Sequence, residues 1–159
     1  ARLGDAFAIV RIPRFGPVFA RPLYEGTTRD VLKRGIGHYA DTSMPGDIGN
    51  SGMAGHRTTY GKPFNQIEQL IEGDVVLVET KDTYFVYRVT GHQIVPPTQV
   101  SVLLPVPDKP GKKATVATLT MTTCHPEFSA RERYIVYADL DATYPRASGV
   151  PADVLQIGE

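Results

Sequence analysis

Apolar and β-branched residues come along this chain in short runs interrupted by glycine and proline, a pattern that builds strands rather than helices. Asp5 to Ile12 reads as a first strand, with Ile9, Val10 and Ile12 as its apolar side chains, and Pro13 and Gly16-Pro17 punctuate its end. Val18-Phe19-Ala20 predicts a short second strand. Val75 to Thr80 and Tyr84 to Val89, joined by a turn at Lys81-Asp82, form the clearest hairpin. Ala114 to Thr123, rich in Thr and Val, predicts a strand that His125-Pro126 breaks, because proline has no N–H for a ladder. Tyr134 to Ala138 is a last strand, ending at Asp139-Leu140-Asp141.

Helical signals are few. Thr27 or Thr28 can cap a short helix with Asp30 in its first turn and Lys33-Arg34 in its last, closed by Gly35, with Val31 and Leu32 on its buried side. Phe64, Ile67, Leu70 and Ile71 fall at helical spacing, which predicts a turn or two of helix facing the core. Pro45 to Gly52 reads as turn-rich, and that much glycine means backbone in unusual conformations or closely approached by another segment. Met53 to Arg57 then predicts a strand of small residues with His56 at its end, followed by a loop at Tyr60-Gly61-Lys62-Pro63. Pro96 to Lys113 is a long proline-rich connection with an apolar insert, Val100 to Leu104; a connection of that length is expected to carry function or act as a lid. Ala142 to Glu159 is a proline-containing tail with a short helix near Asp153.

These elements add up to an all-β protein of about eight strands with two or three short helices. A closed β-barrel is the natural architecture, since closure leaves no exposed strand edges. A length of 159 residues fits one domain over 1–159, with its core at about 6–140 and a tail at 142–159. The 17 basic residues balance the 17 acidic ones without long runs of either sign, which argues against a nucleic-acid partner. A single cysteine rules out an internal disulfide and suits either the cytosol or an exported protein whose thiol stays free. No run approaches the ~18 apolar residues of a membrane span. No signal peptide opens the chain, and it starts at Ala1 without a methionine, as a soluble piece of a longer protein would.

That cysteine lies in Thr120-Met121-Thr122-Thr123-Cys124-His125-Pro126, with Arg133 at the start of the next strand. If the two strands are neighbours, thiol and guanidinium share one surface. A thiol becomes a nucleophile in electropositive, partly exposed surroundings; without them a lone cysteine is a small buried hydrophobe. His38, His56, His92 and His125 are the candidate partners. His125 is adjacent to Cys124 and is expected on the opposite face, whereas His56 follows the glycine-rich stretch and ends a strand. Arg131 competes with Arg133 for the cationic role. His38, His56, His92 and Cys124 could be imagined as zinc ligands, but no pair has close ligand spacing, so no metal is expected.

The cysteine stretch resembles the Thr-Leu-X-Thr-Cys signature of sortases, the cell-wall transpeptidases, with Met121 in place of leucine. Gly49-Asn50-Ser51-Gly52-Met53-Ala54-Gly55-His56 is similar to that family's Gly-Asn-X-X-X-X-Gly-His histidine motif, and Arg133-Tyr134-Ile135-Val136 matches its arginine strand. Thr-Cys-His-Pro and Gly-His-Arg-Thr-Thr-Tyr-Gly-Lys-Pro-Phe look most like class E, with class D second. The resemblance covers about Ala6 to Leu140. It implies a sortase-like barrel and a catalytic set of His56, Cys124 and Arg133, with Thr123, Tyr39 and Tyr60 as candidate substrate-binding residues. It also implies cleavage of the Thr–Gly bond in a Leu-Ala-X-Thr-Gly or Leu-Pro-X-Thr-Gly sorting signal through a thioacyl-enzyme, without a cofactor. The expected partners are surface proteins bearing that signal and the amine of a lipid-linked (lipid II-type) peptidoglycan precursor. The expected location is the extracellular face of the cytoplasmic membrane of a Gram-positive bacterium, with an anchor outside this chain.

Two other readings compete. A papain-like peptidase carries its cysteine at the start of a helix, ahead of its histidine; here the cysteine is late, on a strand, and follows His56. The non-enzyme alternative is a β-barrel binding module with a buried, unreactive thiol.

Overall fold

A computed structural model describes residues 2–125 and 127–158. Eight strands close into one barrel: β1 (Ala6–Arg11), β2 (Ala20–Glu25), β3 (Ile36–His38), β4 (Gly49–Ala54), β5 (Val75–Glu79), β6 (Thr83–Val95), β7 (Ala117–His125) and β8 (Glu132–Pro145). Their order around the wall is β1-β2-β3-β4-β7-β8-β6-β5. Most neighbours are antiparallel, but β2 with β3 and β4 with β7 run parallel. The single α-helix among the described residues, α1 (Arg29–Leu32), is capped by Thr28, whose hydroxyl accepts from the Val31 N–H. No helix among the described residues is long and apolar enough to cross a membrane.

Alternation along the strands decides what fills the barrel. Val10 and Ile12, Val76 and Val78, Leu119 and Met121, and Tyr134 and Val136 point inward and meet Phe64 and Ile67 from the connection after β4. The helical spacing at 64–71 is realised as one 3-10 turn (Ile67–Gln69). Phe64, Ile67 and Leu70 are buried by it, while Ile71 stays exposed.

Three local expectations are corrected. The second strand is Ala20–Glu25, not Val18-Phe19-Ala20, and Val18 is 89% exposed. Pro22 argues against a strand on sequence, yet β3 pairs with β2 only from Leu23 onward, so no ladder donor is needed at Pro22 on that side. The glycine-rich stretch is not all turn: Gly49 to Ala54 is a fully buried strand. Gly52 is there because a Cβ would lie 2.7 Å from Leu103 and 2.9 Å from Tyr39. Finally, β6 and β8 are longer than their apolar cores suggest. Two register shifts in their pairing let them stay paired around the curved wall, and β8 runs to Pro145, so the first residues of the expected tail are strand. The expected break after His125 involves Pro126, which lies outside the described residues, as do Ala1 and Glu159; β7 itself ends at His125.

The outer wall is covered in two places. Val150, Val154 and Leu155 pack over Val75, Leu77 and Val86, with Ala152–Leu155 forming the short 3-10 turn expected near Asp153. The 96–113 connection folds back so that Val102 meets Val95 and Ile135 on the outside of β6 and β8. That connection forms one side of the candidate site.

Candidate active site

In the β7/β8 ladder Cys124 pairs directly with Arg133. The two side chains therefore rise from the same face of the sheet, as the sequence argument requires. Along the other edge of β7 the parallel strand β4 pairs Ala54 with Thr122. The chain leaving β4 thus delivers His56 beside the end of β7. His56 and Cys124 line one open depression of about 360 Å³, together with Thr58, Thr59, Phe128 and Ser129. The thiol is free and half-buried.

The face of His56 is covered by Tyr60, whose ring centroid lies 5.1 Å away at a 50° tilt. Burial pushes the imidazole pKa down from its ordinary value. Tyr60 reaches that position through a left-handed turn, with φ of 50° at Tyr60, 83° at Gly61 and 46° at Lys62. Arg21 Nη2 donates to the Gly61 carbonyl at 3.0 Å and holds the turn, and Lys33 Nζ sits 5.6 Å from the Tyr60 ring. Tyr60 is a neighbour of the histidine, apart from the second cavity described next.

Arg133 lines that cavity, of about 120 Å³, with Tyr39, Thr122, Pro96, Pro97, Val100 and Leu103. Its Nη1 donates to the carbonyls of Ala130 and Glu132 at 2.9 and 3.0 Å, which leaves the rest of the guanidinium to meet a ligand. Arg131 precedes β8 and is exposed. Tyr39 donates or accepts a 2.9 Å hydrogen bond with Thr122 Oγ1 at the cavity wall. The Thr123 side chain points inward and is buried, and its hydroxyl donates to the Gly55 carbonyl at 2.7 Å. Thr122, one residue away, takes the outward position.

A Sortase domain profile matches residues 10–141. The chain belongs to the sortase family. It is 43% identical over 156 residues to the sortase SrtE1 of Streptomyces coelicolor, covering 93% of this chain and 44% of that protein. It is 32% identical over 138 residues to sortase D of Bacillus subtilis, covering 84% of this chain and 63% of that protein. The chain therefore spans about half the length of these relatives. Among solved structures, sortase E1 of Streptomyces coelicolor with a tripeptide in its active site superposes with a TM-score of 0.86 at 40% identity, covering 96% of this chain and 98% of that one. Similarity to class E thus exceeds similarity to class D.

In this sortase the site rests on a second cluster that the sequence reading did not pick out. Arg57, 5% exposed, follows His56 and also lines the depression at Cys124. Its Nη1 donates to the carbonyl of Cys124 at 2.9 Å, and its Nη2 meets Glu68 Oε1 at 2.9 Å. His125 Nδ1 lies 3.3 Å from Arg57 Nη1 and 3.1 Å from Glu68 Oε1. The hydrogen bond from Arg57 chiefly holds the Glu68 carboxyl below the usual carboxylate range, outweighing the effect of burial. The signal in the sequence was alternation along β7, which turns His125 to the face opposite Cys124; Arg57 follows His56 beyond the end of β4 and carried no such signal.

The remaining histidines are engaged elsewhere. His38 is fully buried, with Nδ1 2.6 Å from Glu25 Oε1 and Nε2 2.8 Å from the Ser43 carbonyl. His92 stacks on Tyr134 at 5.4 Å. The imagined zinc set is therefore not assembled, and among the described residues no three His, Cys, Asp or Glu side chains converge on a metal position.

Proposed function

We propose that this sortase cleaves the Thr–Gly bond of a Leu-Ala-X-Thr-Gly or Leu-Pro-X-Thr-Gly sorting signal and transfers the acyl part to an amine. The observation that carries the reading is that Cys124 and His56 line one depression while Arg133 stands opposite Cys124 in the β7/β8 register. The Cys124 thiolate attacks the threonine carbonyl carbon, forming a C–S bond and a tetrahedral oxyanion. The C–N bond then breaks as His56, as imidazolium, gives its proton to the departing glycine nitrogen. The now neutral His56 takes a proton from the incoming amine, which attacks the thioester and releases the thiolate. Arg133 donates from its free N–H groups to the oxyanion or the bound backbone, a charged contribution of a few kcal/mol, as oxyanion donors commonly supply.

The cavity walled by Tyr39, Thr122 and the 96–113 connection suits the part of the signal before the scissile bond, and the relative solved with a tripeptide in its active site supports a peptide ligand there. Surface proteins bearing the signal are the donors, and the amine of a lipid-linked peptidoglycan precursor, or water, is the acceptor. The setting is the outer face of a Gram-positive cytoplasmic membrane, with the anchor in a part of the protein outside this chain.

Fluorogenic Leu-Ala-X-Thr-Gly and Leu-Pro-X-Thr-Gly peptides, incubated with the wild type and with Cys124→Ala, test the reading. Cleavage between Thr and Gly by the wild type alone is expected. Cleavage at a near wild-type rate by Cys124→Ala would sink the assignment.

A further inference from the structure

The 96–113 connection has the length and composition of a lid, but its hydrogen bonds belong to a fixed wall. It is held from two sides. On the inner side Asn50, buried in β4, donates through Nδ2 to the carbonyls of Val102 and Leu104, both at 2.9 Å. Thr120 Oγ1 fixes the Asn50 amide by donating to its Oδ1 at 2.7 Å.

On the outer side one carboxylate does the holding, and its two oxygens divide the task. Asp108 Oδ1 accepts from the connection itself, from Ser101 Oγ at 2.5 Å and Gln99 Nε2 at 3.1 Å. Asp108 Oδ2 accepts from the barrel, from Gln93 Nε2 of β6 at 2.9 Å and, at the longer distance of 3.5 Å, from Tyr137 OH of β8. Gln93 Nε2 also donates to Tyr137 OH at 2.7 Å, which closes the set. The Asp108 N–H donates to the Ser101 carbonyl at 2.8 Å. Burial works against the ionised carboxylate, but the hydrogen bonds from Ser101, Gln93, Gln99 and Tyr137 outweigh it and hold the Asp108 pKa below its ordinary value.

We infer that Asp108 is a positioning residue that clasps the 96–113 connection to β6 and β8, so that the wall of the peptide cavity is formed before the peptide arrives. The peptide half of this statement rests on the proposed function; the clasp does not. The clasp bonds Gln99 and Ser101 directly, and Gln99 with its neighbours Pro96, Pro97, Val100 and Leu103 lines the cavity that Arg133 and Thr122 also line. A wall ordered in advance spares the bound state the entropy of ordering it, so the clasp should act on peptide affinity rather than on chemistry.

Asp108→Asn is a clean test. Asp108 sits at φ 60°, a conformation that asparagine also tolerates, so the backbone is not strained by the change. The charge is lost, and an amide N–H₂ is set against groups that were donating. Backbone amide exchange, measured without peptide, should accelerate about tenfold or more across 96–108 while β4, β7 and β8 keep their protection. With peptide, KM should rise about tenfold and kcat should stay within about twofold. Gln93→Leu, which removes the shorter of the two barrel-side bonds to Asp108 and leaves the 3.5 Å one from Tyr137, should reproduce both effects and covers the case in which Asp108→Asn fails to fold. Unchanged exchange in 96–108 in both variants would overturn the clasp. Faster exchange with an unchanged KM would overturn its role in positioning the peptide. A wild type that cleaves neither peptide would count against the proposed function alone, since exchange reads the clasp directly.

Discussion

Arg57 Nη1 donates to the carbonyl oxygen of Cys124 at 2.9 Å. The residue after the candidate acid–base thus holds the backbone of the candidate nucleophile. With Thr123 Oγ1 donating to the Gly55 carbonyl, the two chain segments are stitched to each other on either side of the site. The His56–Cys124 geometry is therefore a property of two hydrogen bonds as much as of the barrel.

Arg57→Met, which keeps an apolar stem and removes the guanidinium, should lower kcat by ~10-fold or more, because small misplacements of reacting groups are costly. KM should stay within about twofold, and Arg57→Lys should recover part of the loss. Glu68 is 48% exposed, so removing its partner strands no fully buried carboxylate, and the fold should survive. A folded Arg57→Met enzyme with unaltered kcat would show that the stitch does not set the geometry.

Arg133 and Arg131 should separate sharply. Arg133→Lys keeps the charge but loses the planar fork that now serves two carbonyls and still faces the cavity, and a drop of about 10²-fold in kcat/KM is expected. Arg131→Ala, at an exposed position ahead of β8, should stay within about twofold of the wild type. The reverse pattern in a side-by-side peptide assay would assign the role to Arg131.

Burial lowers the His56 pKa below 6.5, and Tyr60 covers one face of the ring. Tyr60→Ala should therefore raise the His56 pKa toward that value, as read by NMR titration. The sign follows from linkage. The unfolded chain binds this proton more tightly than the folded one, so the contribution to stability is complete above the ordinary histidine pKa. It declines as pH falls through that value toward the folded pKa. Thermal unfolding of Tyr60→Ala should show a weaker decline over that window. An unchanged His56 titration would mean that the depression comes from other parts of the fold.

Class E similarity carries the expectation that alanine is preferred over proline at the second position of the signal. Alanine has an N–H that proline lacks, and Tyr39 OH, already bonded to Thr122 at the cavity wall, is a polar group that could receive it. Leu-Ala-X-Thr-Gly should then show a higher kcat/KM than Leu-Pro-X-Thr-Gly. Tyr39→Phe should erase the difference by lowering the alanine substrate about tenfold and leaving the proline one nearly unchanged. Equal rates in the wild type would remove the reason for invoking the tyrosine.

The sequence by itself determined the class of fold and the strand-borne cysteine, because strand alternation and turn residues are local properties; that Arg133 stands opposite the cysteine is decided by the β7/β8 register. Its motifs also marked His56, since Gly-His after a glycine-rich run is a written pattern. Tertiary contacts decided the rest. Whether Gly49 to Gly52 turns or runs straight depends on the ladder it forms with β7, and only that packing leaves no room for a Cβ at Gly52 beside Leu103 and Tyr39. Whether Thr122 or Thr123 faces the cavity depends on the register with β4, where a one-residue shift exchanges the two faces. The support of the site by Arg57, Glu68 and His125, and the clasp at Asp108, join residues from connections that carry no periodic pattern. Only the pairing of β6 with β8 puts Gln93 and Tyr137 side by side, where Asp108 of the folded-back connection reaches both.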